Sequence, residues 1–113
     1  MTRFGLPQAS IERINAVLAS HPEVERAILY GSRAKGTFRP GSDIDLALEG
    51  GRLTHDLLLK IMTELDDLLL PWMIDLLILS ELDHEPLREH IERVGMTFYV
   101  RADFTGTAGI VNG

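Results

Sequence analysis

Residues Gly31-Ser32-Arg33-Ala34-Lys35-Gly36-Thr37-Phe38-Arg39-Pro40-Gly41-Ser42-Asp43-Ile44-Asp45 set a Gly-Ser turn ten residues ahead of two aspartates spaced i, i+2. Small residues let backbone N–H groups approach phosphate, and paired carboxylates suit a divalent cation, so this spacing fits a metal-nucleotide site. In an extended Asp43-Ile44-Asp45-Leu46-Ala47-Leu48, alternation puts Asp43, Asp45 and Ala47 on one face and Ile44, Leu46 and Leu48 on the other. Two carboxylates this close raise each other's proton affinity, a cost that a shared cation relieves. Magnesium fits, because it takes one or two carboxylates and completes its octahedron with water and phosphate oxygens. The plainer reading of the pair alone is a solvated strand start, with Asp43 closing a turn after Pro40-Gly41-Ser42.

A third acid stands in Met73-Ile74-Asp75-Leu76-Leu77-Ile78-Leu79. A run with one polar member reads as a strand buried on both faces, where a lone charge is costly without a cation or a hydrogen-bond donor. Asp75 is therefore expected either to meet an arginine or to face Asp43 and Asp45 from a neighbouring strand. Three carboxylates so placed could hold two divalent ions, or one ion beside a base near an attacking hydroxyl.

The elements that must position these residues alternate between helix and strand. Ile11, Ile14, Val17 and Leu18 fit one helical face, with Ser10 as the expected N-cap and His21-Pro22 as the stop. Ala27 to Tyr30 reads as a strand, Ser32 to Gly36 as a short helix aiming N–H groups at phosphate, and Thr37 to Ser42 as a loop. Arg33 is expected at the phosphates, whereas Lys35 and Arg39 read as surface residues. The strand from Asp43 to Leu48 precedes a Gly50-Gly51 break. A long helix is then expected from Thr54 to Leu70, with Leu58, Ile61, Leu65, Leu68 and Leu69 inward and Pro71 as its stop. After the Asp75 strand come a helix with Pro86 in its first turn, ended by Gly95, and a last strand over Thr97-Phe98-Tyr99-Val100. His21, His55, His84 and His90 lack metal-site spacing and read as packing or surface residues. Trp72 reads as a strand-edge core residue.

This order implies an α/β (α+β) fold, a mixed sheet flanked by helices. One domain over residues 1–101 is expected, with 102–113 as a small, Gly-rich tail. The chain has no cysteine, which excludes a disulfide framework and a thiolate metal site and suits a reducing cytoplasm. A net charge of −6 argues against a dedicated nucleic-acid binder. No apolar run reaches membrane-spanning length.

Gly31-Ser32, the ten-residue spacing, Asp43-x-Asp45 and the later Asp75 resemble the nucleotidyltransferase superfamily that includes the polymerase-beta palm. The short length resembles its minimal nucleotidyltransferases, the MNT or MntA-like antitoxins. That resemblance, over roughly residues 10 to 100, implies a polymerase-beta-palm-like fold. It implies Asp43, Asp45 and Asp75 as catalytic and magnesium-binding carboxylates with two ions, and Gly31, Ser32, Arg33 and Ser42 as nucleotide contacts. Many members carry Arg where this chain has Lys35. The resemblance further implies transfer of AMP from ATP to a tyrosine of a small helical HEPN toxin, as the antitoxin in a hetero-oligomer. Two alternatives remain at this point: a non-catalytic nucleotide-binding or inhibitory partner, and a transferase acting on a small molecule. A domain that binds the acceptor is not expected in so short a chain, so another protein is expected to bring the hydroxyl. A hydrophobic share of 45% agrees with apolar surface covered by a second chain.

Overall fold

The computed structural model describes residues 2–103; the expected tail therefore lies, from residue 104 on, outside the described residues. A two-residue strand β1 (Thr2–Arg3) turns through Phe4 and Gly5, both at positive φ, into β2 (Leu6–Pro7). Helix α1 (Gln8–Ala19) follows directly from Pro7, which occupies the N-cap position. Ser10 sits within the first turn instead of capping it. Ile11, Ile14 and Leu18 form the buried stripe of α1.

The remaining elements are β3 (Arg26–Tyr30), the single turn α2 (Ser32–Lys35), β4 (Ile44–Glu49), α3 (His55–Asp66) and β5 (Ile74–Ile78). A 3-10 turn (Leu79–Glu81), α4 (Glu85–Val94) and β6 (Met96–Val100) complete the described chain. Strands run β5-β4-β3-β6 across one sheet, with β4 and β5 parallel and the other two pairings antiparallel. Parallel pairing needs a crossover, and α3 supplies it.

Alternation divides the sheet between two cores. Ala27 and Leu29, with Ile44, Leu46 and Leu48, pack against Ile14 of α1 and Ile61 of α3. On the other face Ile28 and Ala47 meet Ile91 of α4, with Tyr30 and Leu77 packed alongside. Both cores draw on the same strands, so a one-residue slip would exchange them and expose the larger one.

Two expectations fail here for identifiable reasons. The helix α3, capped by Thr54 Oγ1 accepting from the Leu57 N–H at 3.2 Å, stops at Asp66 and not at Leu70. Leu70 precedes Pro71, and the pyrrolidine ring disfavours helical geometry there. Leu69 accordingly leaves the helix at φ 56° and is 88% exposed, not inward. The strand carrying Asp75 is not buried on both faces either. It forms one edge of the sheet, and Asp75 is exposed.

Candidate functional site

The carboxylates gather where β4 and β5 begin. Asp45 and Asp75 are register partners on these parallel strands, and Asp45 is also the register partner of Tyr30 on β3. Asp43 stands just before β4, exposed, while Ile44 behind it is fully buried. The expected alternation therefore places Asp45 on the face that carries α4 and leaves Asp43 at the strand entrance. Asp75 stands exposed beside Asp45, not buried as expected for it.

Like charges without a paired cation leave a mark on these groups. Burial, then the charges of Asp75 and Asp43, push the Asp45 carboxyl above the usual aspartate range. Burial together with Asp45 and Asp75 pushes the Tyr30 hydroxyl up to about 12, so it stays a neutral phenol at physiological pH.

The Gly-Ser turn is fitted to this group. Gly31 has φ 77°, and a Cβ added there would lie 2.5 Å from Oδ2 of Asp45. Glycine is required on both counts, by left-handed backbone and by close approach. Its N–H donates to Nε2 of His90 at 3.1 Å, and the His90 ring stands edge-on to Tyr30 with centroids 6.3 Å apart. His90 comes from α4, 59 residues away, and sequence reasoning missed it. No local spacing signals such a contact.

Arg33, expected at the phosphates, is turned inward and only 2% exposed. Its guanidinium donates to the carbonyls of Phe4 (2.9 Å), Pro40 (3.2 Å) and Ser42 (2.8 Å) and lies over the Phe38 and Trp72 rings. Burial lowers its proton affinity, with Asp43 opposing that effect. Three carbonyls from two segments satisfy a cation that would be expensive to bury alone. Arg33 thus holds the loop that delivers Ser42 and Asp43. Ser42 Oγ accepts from the Arg39 N–H at 2.8 Å and closes the turn before Asp43. Trp72 Nε1 donates to the Pro40 carbonyl at 2.9 Å, tying the same loop to the entry of β5. Lys35 and Arg39 are exposed, as expected. Ser32 opens α2, whose C-cap Gly36 is left-handed.

Among the described residues, no three Asp, Glu, His or Cys side chains converge as a ready-made metal site. The donor set nonetheless fits a hard cation, since two adjacent carboxylates repel and magnesium uses few protein oxygens. The hydroxyl and backbone groups around Gly31 and Ser42 are of the kind that bind phosphate.

Comparison with known proteins gives the setting of this geometry. The family model described as "Polymerase beta, Nucleotidyltransferase" matches residues 12–104. A sequence comparison with curated proteins returns no match. Among solved structures, a chain of a crystal structure of a toxin-antitoxin with AMP-PNP is similar at TM-score 0.66 and 20% identity, over 90% of this chain and 86% of that chain. A chain of the toxin-antitoxin MntA-HepT is similar at 0.62 and 20% identity, over 83% and 73%. A chain from a tri-AMPylated Shewanella oneidensis HEPN toxin in complex with MNT antitoxin is similar at 0.62 and 18% identity, over 93% and 86%. At such identities the likeness is one of fold.

Proposed function

The chain belongs to the polymerase beta nucleotidyltransferase family, and from that premise we propose that it transfers AMP from ATP to a hydroxyl, a tyrosine of a small helical HEPN-type toxin, and serves as the antitoxin of that pair. The observation that carries this reading is the placement of Asp45 beside Asp75, with Gly31 packed on the Asp45 carboxylate. Support for the partner comes from the fold shared with chains of structures described as toxin-antitoxin MntA-HepT and as an AMPylated HEPN toxin with MNT antitoxin. We place the pair, a hetero-oligomer, in the cytoplasm.

In this reading Gly31, Ser32 and Ser42 line the triphosphate, and Arg33 keeps the Ser42-Asp43 turn in place. Asp43, Asp45 and Asp75 would hold magnesium, two ions in all, which when bound supplies charge neutralisation for the phosphates. The acceptor hydroxyl oxygen attacks the alpha-phosphorus in line; an O–P bond forms, the bond to the beta-phosphate bridging oxygen breaks, and pyrophosphate leaves. Asp75, exposed at the sheet edge, receives the hydroxyl proton. Tyr30, a neutral phenol beside Asp45, adds no charge where carboxylates and phosphates already crowd. His90 holds the Gly31 N–H and so fixes the angle of the turn.

Alpha-labelled ATP with magnesium and a co-expressed small helical HEPN-type protein tests the proposal. Label is expected on that protein with wild type and none with Asp43→Asn. Undiminished labelling by Asp43→Asn would contradict the assignment.

A further inference from the structure

The charge of the chain is unevenly spread. Residues 61–87 contain seven Asp or Glu and no Lys or Arg, whereas basic residues slightly outnumber acids over the rest. The two most exposed large apolar side chains among the described residues, Leu69 at 88% and Met73 at 68%, lie in the same segment.

The backbone of this stretch is held firmly, although Leu69 and Met73 point to solvent while Leu70 and Trp72 pack against the core. The Leu69 N–H donates to the Asp66 carbonyl at 3.0 Å, the Met73 carbonyl accepts from the Ile44 N–H at 2.8 Å, and the Leu68 carbonyl accepts from Arg13 Nη2 at 2.8 Å. Leu69 sits at φ 56°, which is unfavourable for a side chain of its size. The fold gains no apolar burial from either residue in return. Pro71 accounts for the backbone, but two large apolar side chains left exposed on it point to a contact outside the isolated chain.

The location narrows that use. Met73 and Asp75 are spaced i, i+2 in extended chain, so they share one side of the β5 edge. Whatever covers Met73 therefore arrives beside Asp75 and its register partner Asp45. Exposed Asp66 and Asp67 before Leu69 and exposed Asp75 after Met73 flank the apolar pair, and this acidic frame disfavours a second copy of the same surface and selects a basic partner.

We infer that Leu69 to Met73, at the entry to β5, is the docking surface for the protein that presents the acceptor hydroxyl, and that this protein meets it with an apolar contact ringed by Lys and Arg. This rests on the transfer reading above. Apolar contact supplies affinity, and charge sets the approach so that the hydroxyl lands at the carboxylates.

The test uses the full chain, a small helical HEPN-type protein as acceptor, and the double variant Leu69→Gly with Met73→Ser. Glycine accepts the backbone at position 69 without strain, so the variant keeps its fold. Complex formation followed by light scattering is expected to weaken at least about tenfold. The KM for the protein acceptor should rise in proportion, with ATP affinity and kcat within about twofold of wild type. Wild-type affinity and acceptor KM unchanged in the variant would overturn the inference. So would a wild-type homodimer that the variant abolishes, or failure of the wild-type chain to bind that protein at all. A complex that the variant breaks, in a system where wild type transfers no label, would support the surface and remove the transfer reading alone.

Discussion

The two ends of the β3-β4 pair, seen on one face, are built to opposite rules. At one end Arg26 is the register partner of Glu49 and forms an ion pair with it. Two steps along, Ile28 and Ala47 are buried. At the other end Tyr30 is paired with Asp45, and the next strand adds Asp75 instead of a cation. A sheet can close its charges locally, as the Arg26 end does, and the end with uncompensated carboxylates is the one that we propose takes the ligand. The buried guanidinium of Arg33 donates to backbone carbonyls instead of pairing with Asp45 or Asp75.

Breaking the carboxylate end should have the larger consequence. Gly31→Ala forces a side chain into left-handed backbone and against Asp45 Oδ2, and should destabilise the fold by about 1–3 kcal/mol in urea titration. Transfer should fall by about a hundredfold or more, because the turn and Asp45 must separate. If Gly31→Ala kept wild-type transfer, the close packing of turn and carboxylate would be irrelevant to the chemistry. The Arg26 end should respond weakly. Arg26→Met removes a partly exposed ion pair, so a loss under about 1 kcal/mol and unchanged transfer are expected. A transfer defect in Arg26→Met would show that the two ends are not independent.

Much of the site's local geometry could be read from the sequence, because it rests on short-range rules. Alternation through residues 43 to 48 gave Ile44, Leu46 and Leu48 on one buried face and Asp45 with Ala47 on the other, and the Gly31-Ser32 turn with a short following helix matches the structure. The family match supports the polymerase-beta resemblance. What could not be read depends on tertiary placement. Strand order makes β5 an edge, so an apolar run that resembles a buried strand leaves Asp75 exposed. Arg33 resembles a phosphate ligand by its place after Gly-Ser, but carbonyls from Phe4, Pro40 and Ser42 surround it, and Phe4 lies 29 residues away. The leucines at 68 to 70 continue the period of α3, yet Pro71 imposes its own conformation on the residue before it. His90 reaches the turn only because α4 packs across β3.

The central claim is that Asp45 is kept for a ligand at the expense of the fold, and Asp45→Asn tests it most directly in one preparation. A carboxyl whose folded pKa lies above its unfolded value stabilises the fold while protonated, and that contribution is lost as pH rises through the folded value. Asparagine stays neutral throughout, so in magnesium-free buffer the variant should melt a few degrees above wild type at about pH 7, and the gap should close in acid. The same sample, given magnesium, alpha-labelled ATP and the helical partner, should transfer no label. A variant that transfers label like wild type would contradict the account, whatever its melting temperature.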